Sequence, residues 1–352
     1  MNPDSEKHKR IVFVFLSIRG NRFSRTLNYY HGLLRRDILC YWIDVNPNNK
    51  MAEMKKIAKD FYSKDVIYVV ASPSHILVPY LKLFTRKRIV LDAGWPLYDG
   101  VIQSRNSYGL FGWRFFFTCF IDFISFHTAS TVFLESDSQI NASRRRYFLP
   151  KEKLVYLATG FDENRFSGKN PLEQGNSQNH GQCILFRGGP QEEAGLEVLF
   201  EAIKLVRNHT RVKFVVVSKI PQNKMVSQED LVILHEFQDD IVLWNLYQGA
   251  DIVLGQLSNH SRLDKTLPHK FFEAGYFGKP YLSSSRGEIG NYISSGNIVG
   301  FAAGNASDLA TKINELLKSP FERDQFGKSI AALYRKEFSQ DILVGKFLHE
   351  LT

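Results

Sequence analysis

The sequence predicts an α/β protein built from two Rossmann-like domains, and three observations lead there. The chain has 352 residues, beyond the size at which a single hydrophobic core usually stops growing. Short continuous apolar runs alternate with stretches of helical period, the pattern of parallel strands covered by helices on both faces. That alternation starts twice, at Arg10–Leu16 and at Cys183–Arg187, and a segment rich in Gly, Asn, Ser and Gln at 167–182 separates the two.

In the first half, Arg10–Leu16 reads as a strand buried on both faces, followed by the loop Ser17–Ser24 and a helix over Ser24–Leu34. Ile38–Asp44 is a second strand, Met51–Phe61 a helix, Asp65–Ala71 a strand and Ile76–Phe84 a helix. Strand, Gly-containing loop and helix open a Rossmann-like unit, but no G-x-G-x-x-G is present and a dinucleotide site is not supported. Arg88–Asp92 is a strand ending in a carboxylate. Ligands of open parallel sheets sit outside the carboxyl ends of strands, so Asp92 is a candidate for the edge of a site or for bracing the following loop. The aromatic stretch Tyr108–Phe126 reads as a helix with Arg114 and Asp122 inside it. It either packs into the first domain or rests aromatic side down in a membrane interface, helped by Arg86-Lys-Arg88 and Arg144-Arg-Arg146. Its two internal charges argue against a spanning helix. Ser130–Ser136 reads as the last strand of this domain, with His127 before it in a structural role.

The second half restarts with the strand Cys183–Arg187 and a glycine turn. Arg187 leaves that strand beside Gly188 and Gly189, where a backbone can approach a phosphate closely and a guanidinium can grip its oxygens. An amphipathic helix Leu196–Val206, the strand Val212–Val217, a strand near Ile233–Phe237, a helix Asp239–Gly249 and the strand Ile252–Gly255 follow. Lys265–Leu282 then reads as a loop, a short helix, a turn and a buried strand, with Thr266 as N-cap, Pro268 in the first turn, Gly278 as left-handed C-terminal cap and Pro280 as terminator. Such a helix start favours an anion; Lys265 and Lys270 add charge, and Glu273, one turn on, suits the vicinal hydroxyls of a sugar ring. The same string also describes an ordinary capped helix between two strands. A Gly-rich loop with a short helix at 287–296, a short strand at 297–302, a helix over Asp308–Lys318 and helices broken near Ser339 complete the chain.

The run Thr266-Leu-Pro-His-Lys-Phe-Phe-Glu-Ala-Gly-Tyr-Phe-Gly-Lys-Pro280 resembles the donor-site motif of retaining, nucleotide-sugar-dependent glycosyltransferases of the GT-B fold, in the large family four (group 1). The resemblance covers Ile184–Leu317 well and the first domain by pattern alone. It implies two Rossmann-like domains facing each other across a cleft: 1–165 for the acceptor, 166–335 for the nucleotide-sugar, and 336–352 a C-terminal helix packing back on the first. Glu273 matches the Glu that holds the nucleotide ribose, and Arg187 the Arg that grips the diphosphate. By the same resemblance Arg187, Lys270 and Glu273 are the candidate catalytic groups. Gly188, Gly189, Lys265, Thr266, Leu267 and Glu273 form the donor side, and Gly20, Asn21, Arg25 and Asp92 the acceptor side. The chain departs from the family where Lys265 replaces a second Glu and where Glu193 or Ala194 occupies the place of a diphosphate Lys.

The expected activity is transfer of a sugar from a nucleoside-diphosphate donor to a lipid-linked or polysaccharide acceptor, with retention and without a metal or other cofactor, as in cell-envelope polysaccharide or lipopolysaccharide biosynthesis. The departures motivate an alternative, an inactive scaffold of the same fold that binds a partner transferase or a nucleotide-sugar. A formal charge of +9 fits anionic partners, and an anionic membrane surface is one. Nucleic acid is not expected, since the basic residues are scattered and form no binding motif. Three scattered cysteines fit neither a disulfide framework nor a metal site and point to a reducing cytoplasm. The apolar run at Ile11–Leu16 is too short for a signal-peptide core, and no stretch is long enough to span a bilayer. A cytoplasmic protein, peripheral on the inner face of the membrane, is the expectation.

Overall fold

The structure, a computed structural model, describes residues 11–19, 23–103, 113–171, 182–207, 212–219, 231–234 and 238–351. The chain divides into two compact units, Met1–Asn164 with Gln340–Thr352, and Arg165–Ser339.

The first unit alternates β1 (Val12–Ile18), α1 (Ser24–Arg35), β2 (Cys40–Val45), α2 (Lys50–Asp60), β3 (Val66–Ala71), α3 (Leu77–Lys82), β4 (Arg88–Gly94), α4 (Trp113–Thr128), β5 (Thr131–Leu134), α5 (Asp137–Tyr147) and β6 (Leu154–Tyr156). Its six strands lie parallel in the order β2-β1-β3-β4-β5-β6. The central strands are the continuous apolar runs, and every residue of β3 is buried. Ser136 caps α5, its hydroxyl accepting from the Gln139 amide at 3.1 Å. The expectation that Ser130–Ser136 supplies the last strand of this domain is corrected. β6 adds a further edge strand, with Leu134 opposite Tyr156.

The second unit contains β7 (Cys183–Arg187), α6 (Leu196–Arg207), β8 (Lys213–Val217), β9 (Leu231–Leu234), α7 (Asp240–Gly249), β10 (Ile252–Leu254), α8 (His269–Phe277), β11 (Tyr281–Ser284), α9 (Ile289–Ser294), β12 (Val299–Phe301), α10 (Ala306–Lys318) and α11 (Pro320–Leu333). Its parallel sheet runs β12-β11-β10-β7-β8-β9. This is the doubly wound order in which the first strand lies at the centre and the chain reverses direction between β7 and β10. Leu199, Ile203 and Val206 of α6 pack with Leu309, Ile313 and Leu316 of α10 in a single core. The last helix, α12 (Gln340–Leu351), belongs to the first unit, where the Phe347 ring lies against Phe13, Tyr29 and Phe133.

Candidate active site

The candidate site grows from the reversal point of the second sheet. There the loops after β7 and β10 diverge and leave room at the carboxyl ends of the strands. β7 delivers Arg187 to that edge, and β10 delivers the Gly255 carbonyl. The chain then makes a 3-10 turn over Ser261–Lys265 and enters α8, whose N-terminus faces the same edge as it returns to β11.

The cap of α8 differs from expectation. Pro268, with extended φ and ψ, is the N-cap, and α8 begins at His269. Thr266 instead ends the preceding turn, its hydroxyl donating to the Arg262 carbonyl at 3.5 Å. The far end is as read: Gly278 adopts φ 61°, and its amide bonds back to Ala274 and Gly275.

On this frame Arg187, Lys270 and Glu273 converge. Arg187 Nη1 donates to Glu273 Oε1, the Tyr247 hydroxyl donates to Glu273 Oε2, and His269 Nδ1 lies 3.1 Å from Oε1. Burial alone would raise the Glu273 pKa. The charges of Arg187 and His269, with hydrogen bonds from His269 and Tyr247, outweigh burial and hold the carboxylate well below its ordinary range. Glu273 in turn raises Arg187, and burial with Glu273 raises Tyr247. The Lys270 ammonium donates to the Gly255 carbonyl at 2.6 Å and lies 4.1 Å from the centre of the Phe186 ring. Burial lowers its pKa to about 7, with Glu273 opposing the shift and Arg187 adding to it. A side chain at Gly188 would come within 3.2 Å of Lys270 Nζ, so glycine keeps the approach to this amine open.

The remaining residues expected on the donor side come from the segments after β7 and before α8. Gly189 follows Gly188 after β7, Lys265 closes the 3-10 turn half-buried, and Leu267 is buried just before α8. The acidic Glu193, where a diphosphate Lys was sought, is bound by Arg262 Nη1 from the 3-10 turn. Tyr247 and His269 were not singled out from sequence. His269 stands four residues before Glu273, the spacing at which helical side chains meet, so its contact was readable. Tyr247 comes from a different helix, and no local pattern announces it.

Of the residues expected on the acceptor side, Gly20 and Asn21 lie outside the described residues. Arg25 and Asp92 meet each other inside the first unit. Arg25 Nε donates to Asp92 Oδ1 at 2.8 Å, Nη1 donates to the Leu157 carbonyl at 2.8 Å, and the Thr26 hydroxyl donates to Asp92 Oδ2 at 2.7 Å. Their side chains are 2% and 1% exposed, which makes the pair a brace between α1 and the end of β4.

Residues 181–319 match the family model described as glycosyl transferases group 1. No curated protein matches the chain in sequence. Among solved structures, the chain resembles a glycosyltransferase from Rickettsia africae, with TM-score 0.68, 14% identity and 97% of each chain covered. It also resembles Anabaena HepE solved with UDP-glucose, with TM-score 0.70, 14% identity and coverage of 97% of this chain and 98% of that one. A third likeness is to sucrose-phosphate synthase from Thermosynechococcus elongatus, with TM-score 0.69, 12% identity and coverage of 97% and 99%. At such identities the structures establish the GT-B fold, and the family match covers residues 181–319 of the second unit.

Proposed function

We propose that this chain, whose second unit carries a group 1 glycosyltransferase domain, transfers a sugar from a nucleoside-diphosphate donor to a lipid-linked or polysaccharide acceptor. One observation carries the reading: Arg187, Lys270 and Glu273 converge at the reversal point of the second sheet, beside the N-terminus of α8. The resemblance to Anabaena HepE, solved with UDP-glucose and with UDP, supports a nucleotide-sugar as the donor.

When the nucleoside diphosphate departs, negative charge builds on its β-phosphate. Arg187, protonated Lys270 and the first-turn amides of α8 are the groups that would meet it, and fixed charges aimed at developing charge lower a barrier more than they strengthen ground-state binding. Glu273 acts in two ways. It holds Arg187 in place, and by the family resemblance its carboxylate is assigned to ribose or sugar hydroxyls. Retention of configuration, independence of added metal, a role in cell-envelope glycans and a cytoplasmic, membrane-peripheral location complete the proposal.

A panel of UDP-, GDP- and ADP-sugars tests it through release of the nucleoside diphosphate, with and without a chelator. Release from one donor, undiminished by chelator and abolished in Arg187→Ala, supports the reading. Loss of activity on chelation contradicts the metal-independent form. The ion pair of Glu193 with Arg262, at the place of an expected diphosphate Lys, favours a second reading: a scaffold that binds a nucleotide-sugar without turnover. Saturable donor binding with no release from any donor, whichever acceptor is supplied, would establish that alternative.

A further inference from the structure

Helix α4 of the first unit is oriented inside out. The side it turns inward carries Thr118, Ile121, Asp122, Ser125 and Phe126. The side it turns outward carries Trp113, Phe116, Phe117, Phe120 and Phe123, which are 70%, 60%, 54%, 57% and 43% exposed. These five recur at three- and four-residue intervals and form one stripe along a helix about 24 Å long. A water-facing helix has the opposite arrangement.

Polar anchors on the inner side fix that orientation. Asp122 accepts from the Leu97 and Tyr98 amides and the Tyr147 hydroxyl, each at 2.9 Å, and the Ser125 hydroxyl donates to the His75 carbonyl at 2.8 Å. Rotating α4 to bury its aromatics would break all four bonds and leave the Leu97 and Tyr98 amides and the Tyr147 hydroxyl without their acceptor. The outward stripe is therefore held in place by the interior, and a contiguous exposed aromatic surface of this kind marks an interaction site.

The charges around it are cationic. Arg114 is exposed at the start of α4 and lies 5.7 Å from the Trp113 ring centre. At the other end, Lys153 donates to the His127 carbonyl, and exposed Lys82 lies near enough for its charge to act on Lys153. Exposed Arg144, Arg145 and Phe148 stand on or next to the last turn of α5, which is tied to α4 through His127 Nε2 and the Tyr147 carbonyl at 2.9 Å. Aromatic rings on one face with cations at the flanks is the composition of a helix that lies in the headgroup region of an anionic bilayer. Among the described residues no helix is long and apolar enough to cross a membrane, so α4 would lie on the surface.

We propose that α4 is a membrane-docking helix that inserts Trp113, Phe116, Phe117, Phe120 and Phe123 into an anionic lipid surface, with Arg114, Arg144 and Arg145 at the headgroups. It deepens the lipid-linked acceptor reading above by naming the face that meets the membrane, yet its evidence does not depend on catalysis.

The test uses the full chain and vesicles of phosphatidylcholine with or without phosphatidylglycerol. The protein should sediment with the anionic vesicles and stay in solution with the neutral ones. Phe116→Ser/Phe117→Ser/Phe120→Ser should weaken binding about tenfold or more, because an interfacial helix binds in proportion to its buried apolar area. Arg144→Glu/Arg145→Glu, which leaves the aromatics intact, should weaken it about tenfold and remove the preference for phosphatidylglycerol. Circular dichroism and nucleotide-sugar titration of each variant should match the parent, separating this proposal from the catalytic one. Equal binding by parent and variants, or no binding by the parent, would overturn it. So would a parent dimer that the aromatic variant converts to monomer without change in vesicle binding, since a second copy would then cover the stripe.

Discussion

Each unit places an arginine–carboxylate pair near the carboxyl end of its sheet, and the two pairs do different work. Arg25 and Asp92 in the first unit are sealed, at 2% and 1% exposure, and they also bond Thr26, Thr159 and the Leu157 carbonyl. Arg187 and Glu273 in the second unit sit at the reversal point of the strand order, and the Arg187 side chain is 26% exposed. Lys270, on the same helix as Glu273, adds an amine whose pKa burial has lowered to about 7. A pair closed to solvent braces a fold. A pair open at one end, next to a second cation and a helix N-terminus, can receive an anion.

That contrast breaks most sharply at the sealed pair. Asp92→Ala leaves the Arg25 charge buried without its carboxylate and should cost about 3–5 kcal/mol of stability. Urea unfolding of the full chain should show the loss, while titration with a nucleotide-sugar gives the parent affinity for the fraction that remains folded. At the open pair the effect moves to binding. Arg187→Ala should weaken donor affinity about tenfold or more, since charge-assisted hydrogen bonds contribute roughly 1.5–3 kcal/mol, and calorimetry reads it directly.

Lys270 sharpens the comparison through pH. Below about 7 its amine is protonated and can meet a diphosphate. Above that pH the free protein has lost the proton and must take one up to bind. Donor Kd should therefore rise by up to about tenfold per pH unit above 7, and Lys270→Met should bind weakly with a flat profile. A parent profile as flat as that of the variant would remove Lys270 from the donor site. The smallest effect belongs to Tyr247→Phe, which removes one hydroxyl from Glu273 and leaves Arg187 and His269 in place. It should change donor affinity by about 0.5–1.5 kcal/mol, as a shift in Kd with little change in thermal midpoint.

Much of this was legible in the sequence because it is local. Apolar runs gave the central strands, Gly278 gave the end of α8, and Arg187, Lys270 and Glu273 stood out beside glycines and a helix start. What stayed hidden depends on tertiary contact. Tyr247 reaches Glu273 from α7. Thr266 had the composition of an N-cap, but the 3-10 turn before it carried the chain on to Pro268. For α4, both faces hold aromatics, so periodicity alone left the buried and the surface readings both open. The hydrogen bonds of Asp122 and Ser125, invisible in a hydropathy pattern, select the orientation. Arg25 and Asp92 lie far apart in sequence, and nothing local indicates that they meet.

The central claim is that the second unit grips a nucleoside diphosphate through Arg187 and Lys270 at the β7/β10 reversal. Calorimetric titration of the full chain and of Arg187→Ala with UDP-, GDP- and ADP-sugars at neutral pH tests it most directly. The account predicts saturable binding of one donor class by the parent, weakened about tenfold or more in the variant. Equal affinities in parent and variant, or no binding of any nucleotide-sugar by the folded parent, would contradict it.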